Sequence, residues 1–202
     1  MEEIAAKNKE VYDRYGDALA AKYANNFPHR VKEHAKRFMH ALHGKTVLDV
    51  GCGPGTHAEF FNRIGLDVTC VDVSETMLKK CESKGLKTLL VDLQEMQFPD
   101  RTIDGIWAVS SIIHIRKQNL PAVIKKWHRM LRPEGMVFIA VKEGEKEGFE
   151  YTKELPQAQR WFAYFSDEEV RRLVAPFFEI VFYSREPTET GTVYLNYLMR
   201  KI

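Results

Sequence analysis

Apolar positions follow two different spacings along the chain. From Lys45 onward, short apolar runs alternate with segments in which apolar side chains recur every three or four positions. The short runs predict strands that are buried on both faces, and the longer segments predict amphipathic helices. Strands that alternate with helices of this length favour βαβ units, and therefore a parallel sheet with right-handed crossovers. The five strands predicted in this region are 46–50, 67–71, 88–91, 103–109 and 136–141.

The two ends of the chain differ from this central region. Before Lys45, apolar residues such as Val31, Ala35 and Phe38 have helical spacing, and Phe27-Pro28 predicts a break between two helices. In the last quarter, Ser166-Asp167-Glu168-Glu169 predicts a capping box that begins a helix.

Two further strands, 177–183 and 192–199, are joined by a loop short enough to predict an antiparallel hairpin. We expect a single domain over residues 1–202. Its predicted parts are a helical cap (1–43), a cofactor-binding half (44–142) and a substrate-side region with a lid, a helix and the C-terminal hairpin (143–202).

Composition adds few constraints. The 202 residues are 45% hydrophobic and 29% charged, with a formal net charge of +2, so the chain has no overall basic footprint for nucleic acid. We expect no membrane insertion, because no apolar run is long enough to cross a bilayer and the acidic start Met1-Glu2-Glu3 does not resemble a signal peptide.

Cys52, Cys70 and Cys81 form no Cys-x-x-Cys pair, which favours reduced thiols in the cytoplasm. No His, Cys or carboxylate set has the spacing of metal ligands, so we expect no metal site.

A glycine-rich turn follows the first predicted strand, in the segment Val47 to His57. Gly51, Gly53 and Gly55 allow the backbone to turn sharply and to approach a ligand closely. The helix that begins after them offers unpaired N–H groups, at the carboxyl edge where open α/β sheets bind ligands. Such a turn alone is weak evidence, because dinucleotide-binding folds have a similar one.

Three aspartates narrow the choice of ligand. Asp49 precedes the glycines, where a carboxylate would repel a pyrophosphate but suit a cationic amino acid, while Asp72 and Asp92 end the second and third strands. Any one of these aspartates could equally be a turn residue that ends its strand and binds no ligand. Together they match a ligand with a ribose, an adenine and a positive charge but no phosphate, and S-adenosylmethionine has these features.

At these residues the chain resembles the class I S-adenosylmethionine-dependent methyltransferases, in particular the small-molecule branch that includes ubiquinone/menaquinone methyltransferases. The resemblance covers about residues 45–145 and rests on five segments: VLDVGCGPGTH, VDVSETML, VDLQEMQFP, IDGIWAVSSIIHI and LRPEGMVFIAVKEG. It implies an α/β fold, with an open, twisted, seven-stranded Rossmann-like sheet in the order 3-2-1-4-5-7-6. Strand 7 is antiparallel in this arrangement, and helices cover both faces.

The resemblance also implies roles for individual residues. Gly51, Gly53 and the backbone at Cys52 would contact the methionine part of the cofactor, and Asp72 the ribose. The residues implied for the adenine are Val73, Met77, Asp92, Leu93 and the carbonyl near Val109 or Ser110. In similar enzymes N-terminal helices close over the cofactor, so we expect Tyr12, Tyr15 and Tyr23 near the sulfonium.

The reaction itself requires few protein groups. The sulfonium methyl is already activated, and a base is needed only when the acceptor carries a proton. His114, at the end of the fourth strand, is the candidate base, although a histidine that orders the loop is as good an interpretation. Arg160, in the aromatic segment 160–165, is a candidate partner for an anionic group of the acceptor.

Alternative functions remain open at this point. The strand around Asp104–Ala108 also resembles wobble-uridine tRNA methyltransferases, and the spacing from Gly51 to Asp72 is compatible with a nicotinamide-binding oxidoreductase. A third alternative is a binding protein without catalytic activity. We expect a small-molecule methyltransferase that converts S-adenosyl-L-methionine to S-adenosyl-L-homocysteine; the pattern does not indicate the acceptor or the oligomeric state.

Overall fold

The computed structural model describes residues 3–26, 30–153 and 155–202, apart from the side chains of 22–26 and 30. The described helices are α1 (Glu3–Asn26), α2 (Arg30–Ala41), α3 (Thr56–Arg63), α4 (Glu75–Glu82), α5 (Leu120–Met130) and α6 (Asp167–Val174). The described strands are β1 (Thr46–Val50), β2 (Asp67–Asp72), β3 (Lys87–Leu90), β4 (Ile103–Val109), β5 (Leu131–Lys142), β6 (Glu147–Thr152), β7 (Leu155–Ala163), β8 (Phe178–Pro187) and β9 (Val193–Lys201). The predicted break at Phe27-Pro28 lies outside the described residues.

The main sheet has seven strands in the order β3-β2-β1-β4-β5-β9-β8. Strands β1 to β5 pair in parallel, and β9 runs antiparallel to both of its neighbours, β5 and β8. This confirms the predicted fold class. The order is the predicted 3-2-1-4-5-7-6, because the additional hairpin β6–β7 shifts the numbers of the last two strands by two.

Both faces of the sheet are buried, as β4 illustrates. Ile106 and Ala108 point into one core, which α5 and α6 cover, while Trp107 points into the other core with Phe38 of α2 and Phe61 of α3. This alternation follows from the two-residue period of a strand. It explains why the sequence of β4 is almost continuously apolar.

The polar segment after β5 forms a second, two-stranded sheet. Strands β6 and β7 pair antiparallel, and their hairpin packs on α1 and on the 3₁₀ turn Ile112–His114. The pattern of apolar positions did not predict these strands, because β6 alternates exposed with half-buried residues and contributes little to a core. Among the described residues, no helix combines the length and the apolar character that crossing a bilayer requires.

Candidate cofactor and acceptor site

The glycine-rich turn leaves the end of β1 and leads into α3. Gly51, Gly53 and Gly55 have φ angles of 67°, 53° and 74°, a region that side-chain-bearing residues rarely adopt. A Cβ at Gly51 would lie 2.4 Å from Cβ of Ser111, so this position must be glycine. A Cβ at Gly53 would meet no atom within 4 Å. The turn is therefore packed tightly at Gly51 and open at Gly53.

Asp72 lies against this turn. One of its carboxylate oxygens accepts a hydrogen bond from the backbone N–H of Gly53 and the other from the N–H of Ser74, each at 2.9 Å. Burial raises the pKa of the Asp72 carboxyl to about 6, although these donors favour the ionised form. The structure thus brings together the two strongest features of the sequence, the glycine turn and the acidic end of the second strand.

Asp49 has a different environment. Its side chain is almost completely buried, and it accepts a hydrogen bond of 3.1 Å from the N–H of Ala58 in the first turn of α3. Burial raises the pKa of its carboxyl well above the usual range. This contact holds the start of α3 at the glycine turn. A direct contact between Asp49 and a cofactor remains a prediction.

Asp92 follows β3, the edge strand next to β2. Its side chain accepts a hydrogen bond from the N–H of Gln94 at 2.9 Å and is largely buried. Because β1, β2 and β3 are adjacent and parallel, their carboxyl ends lie along one edge of the sheet. The three predicted aspartates are therefore neighbours in strand order, although each makes a local backbone contact.

The other predicted cofactor residues lie around this edge. Cys52 and Met77 are buried, whereas Val73, Leu93, Val109, Ser110 and Tyr15 are half-buried. Tyr15 occupies the kink of α1, where the helix departs from helical geometry with φ −113° and ψ 16°. The side chain of Tyr23 lies outside the described part of the chain.

Helix α1 is attached beside Asp72, at the start of α4. The carboxylate of Asp13 accepts hydrogen bonds from the Ser74 hydroxyl at 2.7 Å and from the Thr76 N–H at 3.2 Å. A Cβ at Gly16 would lie 2.6 Å from Cγ2 of Thr76, so the helices approach closely. Sequence reasoning missed Asp13, because its partners lie about sixty positions away.

His114 is the centre of a buried hydrogen-bonded chain. Its Nδ1 lies 2.6 Å from the carbonyl oxygen of Trp161, which accepts, so Nδ1 carries the proton. Its Nε2 therefore accepts a hydrogen bond from the Tyr12 hydroxyl at 2.9 Å, and Arg160 donates to that hydroxyl oxygen at 3.0 Å. Burial, together with the charges of Arg160 and Lys142, lowers the pKa of His114 to about 3, although the hydrogen bond to the Trp161 carbonyl favours the protonated ring. The imidazole is neutral at physiological pH.

Cations and aromatic rings surround the hydrogen-bonded residues Tyr12, His114 and Arg160. The Lys142 ammonium lies 3.9 Å from the ring centroid of Phe162, and the Arg160 guanidinium lies 5.1 Å from it. Asn8 of α1 accepts a hydrogen bond from the Trp161 N–H at 2.8 Å, while its own amide nitrogen is buried without a protein partner. The sequence pointed to Arg160 but not to Asn8 or Lys142.

Ser111 joins the two halves of the site. It lies against Gly51 on one side, and its carbonyl accepts a hydrogen bond of 3.0 Å from the N–H of His114 on the other. Its hydroxyl is buried and has no partner within the protein. The glycine turn and His114 are therefore parts of one continuous site.

A family model described as a methyltransferase domain matches residues 47–135, from β1 into β5. This segment is similar to a methyltransferase domain. It contains the glycine turn, Asp72, Asp92 and His114, whereas α1 and the β6–β7 hairpin lie outside it.

Curated relatives match about half of this chain over part of their own length. Phosphoethanolamine N-methyltransferase 3 of Arabidopsis thaliana is 34% identical over 104 residues, which cover 48% of this chain and 21% of that protein. A tRNA (carboxymethyluridine(34)-5-O)-methyltransferase of the same plant is 28% identical over 109 residues, which cover 52% of this chain and 26% of that protein. The chain thus spans well under two thirds of the length of these relatives.

Solved structures resemble the chain over nearly its whole length. The PH0226 protein of Pyrococcus horikoshii OT3 has a TM-score of 0.74 at 21% identity, covering 96% of this chain and 99% of that one. The 1,6-didemethyltoxoflavin-N1-methyltransferase of Burkholderia thailandensis, solved with 1,6-didemethyltoxoflavin and S-adenosylhomocysteine, has a TM-score of 0.66 at 22% identity. The match covers 93% of this chain and 89% of that one. At these identities the likeness is one of fold.

Proposed function

We propose that this protein transfers the methyl group of S-adenosylmethionine to a small-molecule acceptor. The observation that carries the proposal is the contact between the Asp72 carboxylate and the backbone N–H of Gly53. It places an acidic strand end directly on an open glycine turn. A ribose hydroxyl can donate to that carboxylate, while the glycine backbone leaves space for the remainder of the nucleoside.

The described residues fit this cofactor. Gly53 faces a space that a side chain would fill, and the buried hydroxyl of Ser111 lies at the same turn with no protein partner. The turn carries no lysine or arginine between Val47 and His57, as expected for a ligand that has a sulfonium and no phosphate. Asp72, Asp92 and Met77 are the residues that we expect to hold the ribose and adenine.

The cofactor supplies an activated methyl group, so the protein must mainly orient the acceptor and exclude water. Orientation of two bound reactants can lower the barrier by roughly 7–11 kcal/mol. Helix α1 and the β6–β7 hairpin cover the site from the side of Tyr12 and Trp161. The neutral His114 accepts a hydrogen bond from the Tyr12 hydroxyl and so fixes the position of that hydroxyl. As the pKa of His114 lies at about 3, we assign it to positioning and expect it to be a weak base.

The enclosed acceptor side favours a small molecule over a nucleic acid. Tyr12, His114 and Arg160 are joined by hydrogen bonds in a region that α1 covers, whereas a nucleotide strand needs an open surface. The formal net charge of +2 supplies little attraction for a phosphate backbone. Within small-molecule methyltransferases, the segments of residues 45–145 favour the ubiquinone/menaquinone-like branch.

The cofactor assignment is tested by replacing Asp72 and measuring S-adenosylhomocysteine binding by calorimetry. We expect Asp72→Ala to abolish detectable binding, because the ribose loses its acceptor and the Gly53 N–H loses its partner. Asp67→Ala is the matched control, since Asp67 begins the same strand at the opposite edge and pairs with the exposed Lys87. Unchanged affinity in Asp72→Ala would refute the assignment.

Transfer of a labelled methyl group into fractionated metabolites, compared with transfer into total tRNA, tests the acceptor class. We expect label in the small-molecule fraction. Label in tRNA, with binding that weakens steeply as salt is raised, would instead favour the tRNA alternative. A preference for a nicotinamide dinucleotide over S-adenosylhomocysteine in thermal shift would favour the oxidoreductase.

A further inference from the structure

The three cysteines of the chain meet directly behind the glycine turn. Cys52 belongs to the turn, Cys70 to β2 and Cys81 to α4, and their sulfur atoms all lie within 4.8 Å of one another. The sulfur atoms of Cys52 and Cys81 are 3.8 Å apart. All three side chains are buried, and none forms a disulfide. The sequence spacing predicted no such cluster, because only the fold brings the three positions together.

This geometry is that of a three-coordinate soft-metal site. Metal–sulfur bonds of about 2.3 Å around one ion hold their sulfur atoms about 4 Å apart. Cys52 and Cys81 already have this separation, and Cys70 needs a shift of less than about an ångström. Among the described residues, no further His, Cys or carboxylate joins the group.

We propose that Cys52, Cys70 and Cys81 form a binding site for a thiophilic monovalent d¹⁰ cation, with Cu(I) as the matching ion. Thiolate ligands select Cu(I) and Zn(II) among biological cations. Zn(II) in protein sites almost always takes a fourth ligand, whereas the present cluster has three. Each thiol that becomes a thiolate ligand releases its proton to solvent, and no electron transfer is involved.

The site is coupled to the glycine turn through one carbonyl. The thiols of Cys81 and Cys52 lie 3.3 and 3.5 Å from the carbonyl oxygen of Gly53, as donors to it. A metal ion that replaces these protons removes both contacts and releases the turn at Gly53. Where the proposed cofactor function holds, loading of the ion weakens S-adenosylhomocysteine binding. We expect about a tenfold loss, which corresponds to about 1.4 kcal/mol and is the size of one or two weak hydrogen bonds.

The first experiment uses the wild-type chain under anaerobic conditions. Native mass spectrometry during titration with a Cu(I)–acetonitrile complex is expected to show one tightly bound ion per chain. X-ray absorption should show about three sulfur neighbours at roughly 2.3 Å. Absence of tight binding, nitrogen or oxygen neighbours in place of sulfur, or stronger binding of Zn(II) than of Cu(I) would overturn the proposal.

Cys70→Ala is the decisive variant, because Cys70 lies in β2, whereas Cys52 belongs to the turn and the Cys81 thiol donates to the Gly53 carbonyl. We expect its copper affinity to fall on the order of 100-fold or more, since even changes around metal ligands cost 10–100-fold. Met130→Leu, which removes a buried sulfur in α5, is the matched control and should bind copper like the wild type. Equal copper binding by Cys70→Ala would overturn the site. If Cys70→Ala does not fold, the absorption experiment on the wild type decides.

Calorimetry of S-adenosylhomocysteine with and without one equivalent of Cu(I) tests the coupling. Weaker S-adenosylhomocysteine binding in the presence of copper supports coupling of the two sites through the Gly53 carbonyl. Equal affinities would overturn this coupling. If the nucleoside does not bind the metal-free chain, the proposed cofactor function fails, while the copper stoichiometry still reports on the thiol site.

Discussion

At the residue scale, the hydrogen bond from the Tyr12 hydroxyl favours the neutral form of the buried His114 ring. Tyr12→Phe removes a hydrogen bond that favours the neutral ring, so we expect the pKa of His114 to rise above about 3, while burial keeps it below 6.5. The folded-state pKa lies below the unfolded-state value, so unfolding takes up a proton between about pH 6.5 and 3. The wild type should therefore lose stability as the pH falls through this window, and Tyr12→Phe should lose less.

The measurement is a pH titration of the His114 ring by NMR, together with urea unfolding at several pH values. Tyr15→Phe removes a hydroxyl from the same helix and should leave the pKa of His114 low. A pKa for His114 that is equal in the wild type and in Tyr12→Phe would show that this hydrogen bond does not help to keep the ring neutral.

The positions of individual residues could be predicted from the sequence where they depend on the strand or turn in which the residue lies. Asp72 and the glycine turn could be placed because they follow consecutive strands whose carboxyl ends must share an edge. The contacts of Asn8 with Trp161 and of Cys70 with Cys81 were not predicted. Asn8 and Trp161 are 153 positions apart, and no periodic pattern indicates that they meet. Even Asp49, whose position was predicted, makes its hydrogen bond to α3, and its contact with a cofactor stays a prediction.

At the element scale, the carboxylate of Asp13 attaches α1 to the body of the protein. We expect Asp13→Ala to loosen the first half of α1, because Ser74 and Thr76 lose their acceptor. Hydrogen exchange should accelerate in residues 3–16, and S-adenosylhomocysteine should bind more weakly because α1 covers the site. Asp17→Ala, one turn further along and paired with Lys80 at an exposed position, is the control. Unchanged exchange in Asp13→Ala would mean that other contacts hold the helix.

Elements with a strong apolar period were predicted well, and those without one were missed. Strands β1 to β4 agree closely with the predicted ranges, and α6 begins with the predicted capping box of Ser166 and Glu169. The hairpin β6–β7 lies largely within the polar stretch 143–159, which was predicted to be a lid. Among the described strands, the polar β6 pairs with β7 alone, so its ladder depends on backbone hydrogen bonds and on a few aromatic contacts such as that of Phe149 with Trp161. The pattern of apolar positions in the sequence does not indicate such contacts.

At the scale of the whole molecule, the site joins pieces from all three predicted parts of the chain. Asn8 and Tyr12 come from the cap, the glycine turn and His114 from the cofactor half, and Trp161 from the substrate side. Because these contacts cross the predicted boundaries, we expect residues 1–202 to unfold as one cooperative unit.

Urea unfolding, monitored with two spectroscopic probes, tests whether the chain unfolds as one cooperative unit. Far-UV circular dichroism reports mainly on the helices and the main sheet, and the fluorescence difference between the wild type and Trp161→Phe reports on the hairpin. Trp161→Phe keeps the backbone contacts of position 161, which bind Asn8 and His114. The two transitions should coincide, and S-adenosylhomocysteine at about 100 times its dissociation constant should shift both together by about 2.7 kcal/mol. A hairpin transition at lower urea that the nucleoside leaves in place would instead make the substrate side a separate unit, and the acceptor pocket would then form only when that unit docks.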